Sequence, residues 1–330
     1  MFSRWRQESS EMKVLIADDS IVSRHMLEAT VKKWGYEPVV ACDGQEAWDI
    51  LQKDGAPQLA ILDWVMPQLT GPEVCRLTRK QQKEVYTYML LLTSKNQRED
   101  LIEGMDAGAD DYVTKPFNHH ELQVRLRAGR RIVELQSELL VTQAALRQQA
   151  THDALTTVYN RHSIFEVLDR ELGRAERENL PVGVALLDID FFKSVNDTHG
   201  HIAGDAVLRE AARRVKSSIR SYDSLGRYGG EEFLVILPGC DEACTRSQSE
   251  RIRCSLASEP MPIHEDAHSD ISLALTASFG STTALPGHKV SAETLLRIAD
   301  ESLYEAKRSG RNRVVFRSIL GEDSIKAPKS

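Results

Sequence analysis

The chain has 330 residues, enough for two domains that each bury a core of their own. Hydrophobic residues make up 41% and charged residues 28%, the balance of a globular chain, and 49 acidic against 42 basic side chains give a net charge of -7. That charge excludes a nucleic-acid coat, which needs a basic excess, but it leaves room for a nucleotide substrate carried on metal ions.

Residues 1–11 are polar, lack the apolar centre of a signal peptide, and read as a flexible leader. From Lys13 short apolar runs alternate with amphipathic stretches. The runs Val14–Ala17, Pro38–Ala41, Leu59–Leu62, Tyr88–Leu92 and Asp111–Thr114 predict five strands, with helices such as Val22–Trp34 and Gln45–Lys53 between them. The alternation predicts an α/β domain over 12–125 with a doubly wound, five-stranded parallel sheet and a site beyond the carboxyl ends of its strands. Residues 126–150 carry no proline. Ile132, Leu135, Leu139, Thr142 and Leu146 draw one stripe at 3-4-3-4 spacing, the seam of a coiled coil or of a helix lying on its own domain.

A second domain is expected over 151–318, with a mixed or antiparallel sheet. Its predicted strands are Val182–Leu187, Leu225–Tyr228, Phe233–Leu237, Leu275–Phe279 and Arg313–Phe316; its predicted helices are Ile164–Glu178, Gly204–Ile219, Asp241–Ser258 and Ala292–Ser309. Gly229-Gly230 signals a hairpin, the polar stretch Glu259–Asp270 reads as a loop, and 319–330 reads as a flexible tail. The five cysteines are odd in number and include no pair of Cys-x-x-Cys motifs, which suits a reduced, cytoplasmic setting; no apolar run reaches the length of a membrane span.

Two constellations carry chemistry. In the first, Asp18 and Asp19 end the first strand, Asp63 the third, Thr93 the fourth and Lys115 the fifth, so all converge on one sheet edge. Three packed carboxylates repel unless a cation joins them, and Mg²⁺ suits an all-oxygen site. Lys115 can hold a phosphate oxygen and Thr93 can donate a hydrogen bond to another. With Asp63-Trp64-Val65-Met66-Pro67, Thr93-Ser94 and Gly108-Ala109-Asp110-Asp111-Tyr112-Val113-Thr114-Lys115-Pro116-Phe117, this region resembles a response-regulator receiver domain, which is flavodoxin-like. The resemblance implies that Asp63 accepts phosphate from a histidine kinase or phosphotransfer protein. It also implies that Asp18, Asp19, Asp63 and the Val65 carbonyl hold Mg²⁺, that Thr93 and Tyr112 form the switch pair alongside Lys115, and that the Lys115–Pro116 bond is cis.

In the second, Gly229-Gly230-Glu231-Glu232 places two carboxylates directly after a turn without side chains, where backbone can approach a phosphate. The strand ending at Asp188 adds a third acid, and Asp188 with Glu231 on a neighbouring strand could share a metal, the pattern of phosphoryl-transfer sites. Together with Asp153-Ala154-Leu155-Thr156, Asn160-Arg161, Asp188-Ile189-Asp190-Phe191-Phe192-Lys193, Asn196-Asp197, Gly200-His201, Gly204-Asp205, Lys307 and Gly310-Arg311-Asn312, these residues resemble the GGDEF domain, the nucleotidyl-cyclase-like catalytic module of diguanylate cyclases. The resemblance implies that two GTP molecules are joined into cyclic di-GMP across a homodimer. Asp188, the Ile189 carbonyl and Glu231 would bind Mg²⁺, with Mn²⁺ able to substitute. Glu232 would position metal or deprotonate the 3′-hydroxyl. Asn196 and Asp205 would read guanine; Lys193, Lys307 and Arg311 would hold the triphosphate, with Phe191, Phe192, Gly229 and Gly230 beside the phosphates. Arg220 and Asp223, three apart, make either a surface ion pair or a fork for guanine and phosphate; in this family an Arg-x-x-Asp at this spacing is the site of inhibition by the product.

Overall fold

The computed structural model describes residues 12–81, 85–94, 98–264 and 270–319. The expected leader and residues 320–330 of the expected tail lie outside them. The chain divides into two compact units, 1–144 and 145–330.

In the first unit, strands β1 (Lys13–Ala17), β2 (Glu37–Ala41), β3 (Leu59–Asp63), β4 (Tyr88–Thr93) and β5 (Asp111–Thr114) alternate with helices α1 (Ile21–Lys33), α2 (Gly44–Gln52), α3 (Gly71–Lys80), α4 (Arg98–Asp106) and α5 (His119–Thr151). The strands form one parallel sheet in the order β2-β1-β3-β4-β5. β3 and β4 are almost wholly buried, as expected of central strands covered on both faces. One core face gathers Leu15, Leu62, Met89 and Leu91, the other Ile16, Ile61, Leu90 and Leu92, which is the two-residue alternation of a strand. Side chains fix the helix starts: Ser20 caps α1, Asp43 caps α2, and Thr70 with Glu73 forms a capping box on α3.

Leu122, Leu126, Gly129 and Val133 of α5 are buried, so this helix packs on the first unit past residue 125. Gly129 is required there, because a side chain would enter the Tyr88 ring. Ile132, Leu135, Leu139 and Leu146 remain exposed.

In the second unit the elements are α6 (Arg161–Glu178), β6 (Val182–Ile189), α7 (Phe192–Ser218), β7 (Ser224–Arg227), β8 (Glu232–Pro238), α8 (Glu242–Ala257), β9 (Met261–His264), β10 (Asp270–Leu273), β11 (Ala277–Ala284), α9 (Ala292–Arg308) and β12 (Val314–Phe316). The sheet order is β12-β11-β6-β8-β7, antiparallel except where β11 meets β12. One core face is built on α7 and α8, the other on α6 and α9.

Four local readings are corrected. Glu259–Asp270 is not all loop: Met261–His264 and Asp270–Leu273 pair as an antiparallel ribbon, anchored by the buried Met261. β11 runs on past the expected end at Phe279 through the polar run Gly280, Ser281, Thr282 and Thr283, all buried beside β6, with Gly280 and Ser281 also paired to β12. α7 begins at Phe192 rather than Gly204, with a break at Gly200, whose φ of 81° suits a residue without a side chain. Finally, Cys240 and Cys244 do not stay apart as free thiols. Cys240 lies just before the Asp241 cap of α8 and Cys244 in its first turn; their Cα atoms are 5.1 Å apart and they are joined in a disulfide.

Candidate functional site

Parallel strands deliver their carboxyl ends to one edge, and the first acidic pocket forms there. Asp18, Asp19 and Asp63 bring carboxylate oxygens within 4.8 Å of one another, the only such acidic cluster among the described residues. Asp18 is fully buried, and its Oδ1 accepts the Ser20 amide at 2.9 Å. Arg24 donates to the Asp18 and Asp19 carbonyls at 2.6 and 2.9 Å and so holds the loop. The Lys115 ammonium bridges Asp18 and Asp63, 2.9 Å from each. Burial pushes the Asp63 carboxyl up, and Lys115 only partly offsets it. Burial alone would lower the Lys115 ammonium, but its hydrogen bonds to the two aspartates outweigh that and raise it. Thr93 is buried, Tyr112 is half-buried against the core, and Val65 is exposed just past β3. The Lys115–Pro116 bond is cis. An all-oxygen donor set with excess negative charge fits Mg²⁺.

The second pocket lies where β6 ends and β8 begins. Glu232 stands directly opposite Asp188 in the antiparallel register, so both side chains leave the same face. Glu231 occupies the turn before it, and its carbonyl accepts the Ile189 amide at 3.4 Å. The Glu232 carboxylate folds back over Gly229, where a Cβ would meet its Oε2 at 2.6 Å. Lys307, on the last turn of α9, pairs with Asp188 at 2.7 Å. Burial nevertheless pushes the Asp188 carboxyl up to about 6, with Glu231 and Glu232 adding to the rise. Glu231 and Glu232 add negative charge that Lys307, paired with Asp188, does not meet, and a dication would relieve that repulsion.

The nucleotide end is built on α7. Phe191 has φ 59°, and α7 starts at Phe192 with no side-chain cap, leaving an amide-rich helix terminus suited to an anion beside the exposed Lys193. The Arg311 guanidinium lies over the exposed Phe191 ring, 4.5 Å from its centroid. Past the Gly200 break the helix returns so that the Asn196 carboxamide lies against Gly204, next to Asp205; a Cβ at Gly204 would collide with Asn196 Oδ1 and approach the Phe192 ring at 3.2 Å.

Arg220 and Asp223 form neither a surface ion pair nor a ready fork. The Asp223 carboxylate accepts the Arg220 backbone amide at 2.8 Å, while the Arg220 guanidinium donates to the Tyr222 hydroxyl at 2.8 Å. Asp223 is 3% exposed, burial raises its carboxyl, and its Oδ1 has no hydrogen-bond partner among the described residues.

One link was missed from sequence. Arg227 donates to both Asp153 carboxylate oxygens at 3.2 Å and to the Gly230 carbonyl at 3.0 and 2.8 Å, so it braces the Gly-Gly turn against the segment that follows α5. Burial would raise Asp153, but the Thr156 hydroxyl and amide and Arg227 outweigh it and lower the carboxyl. An arginine two residues before a glycine turn was the available signal.

Each unit matches a known family. Residues 14–127 match the response regulator receiver domain family, and residues 150–313 match the family described as diguanylate cyclase, GGDEF domain. Response regulator PleD of Caulobacter vibrioides is 32% identical over 92% of this chain and 65% of its own length. Diguanylate cyclase DosC of Escherichia coli is 35% identical over 61% of this chain and 43% of its own. The chain thus spans less than two thirds of these curated relatives. A crystal structure of the coiled coil and GGDEF domain of DgcB from Caulobacter crescentus, in complex with c-di-GMP, is 34% identical, covers 59% of this chain and 99% of that one, and superposes with a TM-score of 0.52. The chain belongs to the response-regulator family in which a receiver domain precedes a GGDEF domain.

Proposed function

We propose that the chain is a diguanylate cyclase switched on by phosphorylation of Asp63. The observation that carries the reading is the second pocket: Asp188, paired with Lys307, stands opposite Glu232 and feels the charge of Glu231 beside a glycine turn, near a helix terminus that suits phosphate. Each GTP would lie with guanine against Asn196 and Asp205 and its triphosphate along Phe191, Phe192, Lys193, Lys307 and Arg311. Asp188, the Ile189 carbonyl and Glu231 would hold Mg²⁺, which would supply charge neutralisation and lower the pKa of the attacking hydroxyl. Glu232 takes the 3′-hydroxyl proton as that oxygen bonds to the α-phosphorus of the second GTP and pyrophosphate leaves. A second, symmetric attack closes the ring and releases a second pyrophosphate. One pocket holds one GTP, so two copies must face each other, a two-fold arrangement.

In the receiver, Asp63 attacks the phosphoryl group of a histidine kinase or phosphotransfer protein, with Lys115 and Thr93 on the phosphoryl oxygens and Tyr112 following Thr93. The uncovered stripe Ile132, Leu135, Leu139 and Leu146 on α5 supports pairing with a second copy. The coiled coil that accompanies the GGDEF domain in the DgcB structure supports the same view. The buried, unpartnered Asp223 oxygen supports a place for product at Arg220 and Asp223, with Arg220 swinging off Tyr222 to meet it. No helix among the described residues is long and apolar enough to cross a membrane.

The test is product chromatography after incubating purified protein with GTP and Mg²⁺, with and without beryllofluoride. Cyclic di-GMP and pyrophosphate are expected, with more product in the beryllofluoride arm. GTP that is bound but never consumed in either arm would make the second unit a nucleotide-binding module instead.

A further inference from the structure

We propose that Asp190 is a positioning residue for the triphosphate, acting through Arg311; this rests on the nucleotide-binding reading of the second pocket. Asp190 follows the metal-side strand β6 and is 2% exposed. A carboxylate so deeply buried must be hydrogen-bonded to be tolerated, and this one is. Its Oδ1 accepts the Ser278 hydroxyl at 2.7 Å, and its Oδ2 accepts the Thr276 hydroxyl at 2.6 Å and the Asn312 backbone amide at 3.1 Å. Its own amide donates to the Thr276 carbonyl at 2.8 Å. None of these hydrogen bonds is with Asp188, Glu231 or Glu232, so among the described residues Asp190 is bonded to scaffold and not to the acids of the pocket.

What it holds is a costly turn. Arg311 and Asn312 are consecutive residues with side chains at φ 59° and 47°, the left-handed region that L-residues visit rarely and hardly ever in pairs. Such a conformation persists only where its surroundings over-determine it, and it gathers at functional sites. Here the Asn312 amide is fixed by Asp190, the Asn312 side chain accepts from Arg253 at 2.6 Å, and the Arg311 amide closes α9 on the Ala306 carbonyl at 3.0 Å. The outcome is a guanidinium parked over the exposed Phe191 ring, at the start of α7. Without the carboxylate the turn relaxes, and Arg311 loses its aim while remaining charged and present. Binding energy that depends on aim falls steeply with small displacements.

The experiment is calorimetry on the full chain with two probes: 3′-deoxyguanosine triphosphate, which cannot be cyclised, and GMP, which offers the guanine and one phosphate. Asp190→Asn removes an acceptor and should weaken the triphosphate by about tenfold, the size of one lost hydrogen bond to a charged group, while GMP changes less than about twofold. In an Arg311→Ala background the same substitution should cost nothing further. A merely structural role would lower the melting temperature and leave the ratio of the two affinities unmoved; that result, or additive losses with Arg311→Ala, overturns the proposal. Should Asp190→Asn fail to fold, Thr276→Val decides, since it loosens one carboxylate oxygen and keeps the Asn312 bond: a smaller fall in the triphosphate-to-GMP ratio supports the proposal, and an unchanged ratio overturns it. If wild-type protein binds neither probe, the nucleotide reading itself falls.

Discussion

The two acidic pockets use one recipe, three carboxylates and a lysine, yet reach different states. In the first, Lys115 touches two aspartates at once and the three acids converge. In the second, Lys307 pairs with Asp188 alone, and the Asp188 carboxyl is pushed up to about 6. Sheet geometry is the cause. Parallel strands bring every carboxyl end to one edge, so acids far apart in sequence meet there. In the antiparallel pair β6–β8, one acid ends a strand while the others lie at a turn and at the next strand's start. The first pocket is built to be persistent, the second to gain most when a dication and phosphates arrive.

The largest effect should separate the pockets outright. Glu232→Ala is expected to lower cyclic di-GMP synthesis by about three orders of magnitude, within the range of a lost general base, whereas Asp63→Asn keeps basal turnover and loses only the beryllofluoride response. Loss of basal turnover in Asp63→Asn, measured by chromatography, would break the division of labour.

Acid comes next. A proton on Asp188 competes with the cation, so Mg²⁺-dependent nucleotide binding should fall by about tenfold per pH unit below about 6. The effect on stability has the opposite sign. A carboxyl raised in the folded state contributes stability below its ordinary value of 3.8 and loses it as pH rises through about 6, so metal-free protein should be relieved of that strain on mild acidification. Titration calorimetry at several pH values checks the first statement and metal-free thermal melts the second. An Asp188 limb at ordinary carboxylate pH would remove the contrast with the first pocket.

Two glycines sharpen it further. A Cβ on Gly71 would strike the Asp63 carbonyl and the Leu91 side chain, and backbone there has no room to give. Gly71→Ala should cost about 1–3 kcal/mol and weaken metal binding at the first pocket. A Cβ on Gly204 meets the end of a side chain, Asn196, which can swing aside. Gly204→Ala should therefore cost less stability and several-fold in guanine nucleotide affinity, read by melts and calorimetry side by side. The smallest effect is expected from Arg227→Gln. Losing the brace on the Gly230 carbonyl should cost about 1 kcal/mol and a few-fold in kcat/KM, with no change at the first pocket.

Much of this was legible without coordinates. The five parallel strands of the first unit announce themselves as apolar runs ending in Asp19, Asp63, Thr93 and Lys115, because strand period and chain direction alone bring those ends together. The Gly-Gly-Glu-Glu turn and the strand ending at Asp188 were equally plain. What misled was local chemistry whose meaning depends on neighbours. The strand expected to end at Phe279 runs on through Gly280 to Ala284, because β6 pairs along its whole length and the backbone of α9 leaves no space for a side chain at Gly280. Nor was it legible that the Asp223 carboxylate takes the Arg220 amide while the Arg220 guanidinium turns to Tyr222, since the backbone between them sets both bonds.

Sequence by itself determined most of the elements and the residue types at both pockets, since hydrophobic period, caps and glycine turns are properties of short segments. Tertiary structure alone decided how charge is shared. Which carboxylate Lys307 reaches, that Arg227 ties Asp153 to the glycine turn, and that Asp190 holds a turn 122 residues away all depend on distances between segments remote in the chain, and electrostatic coupling is set by those distances and by burial.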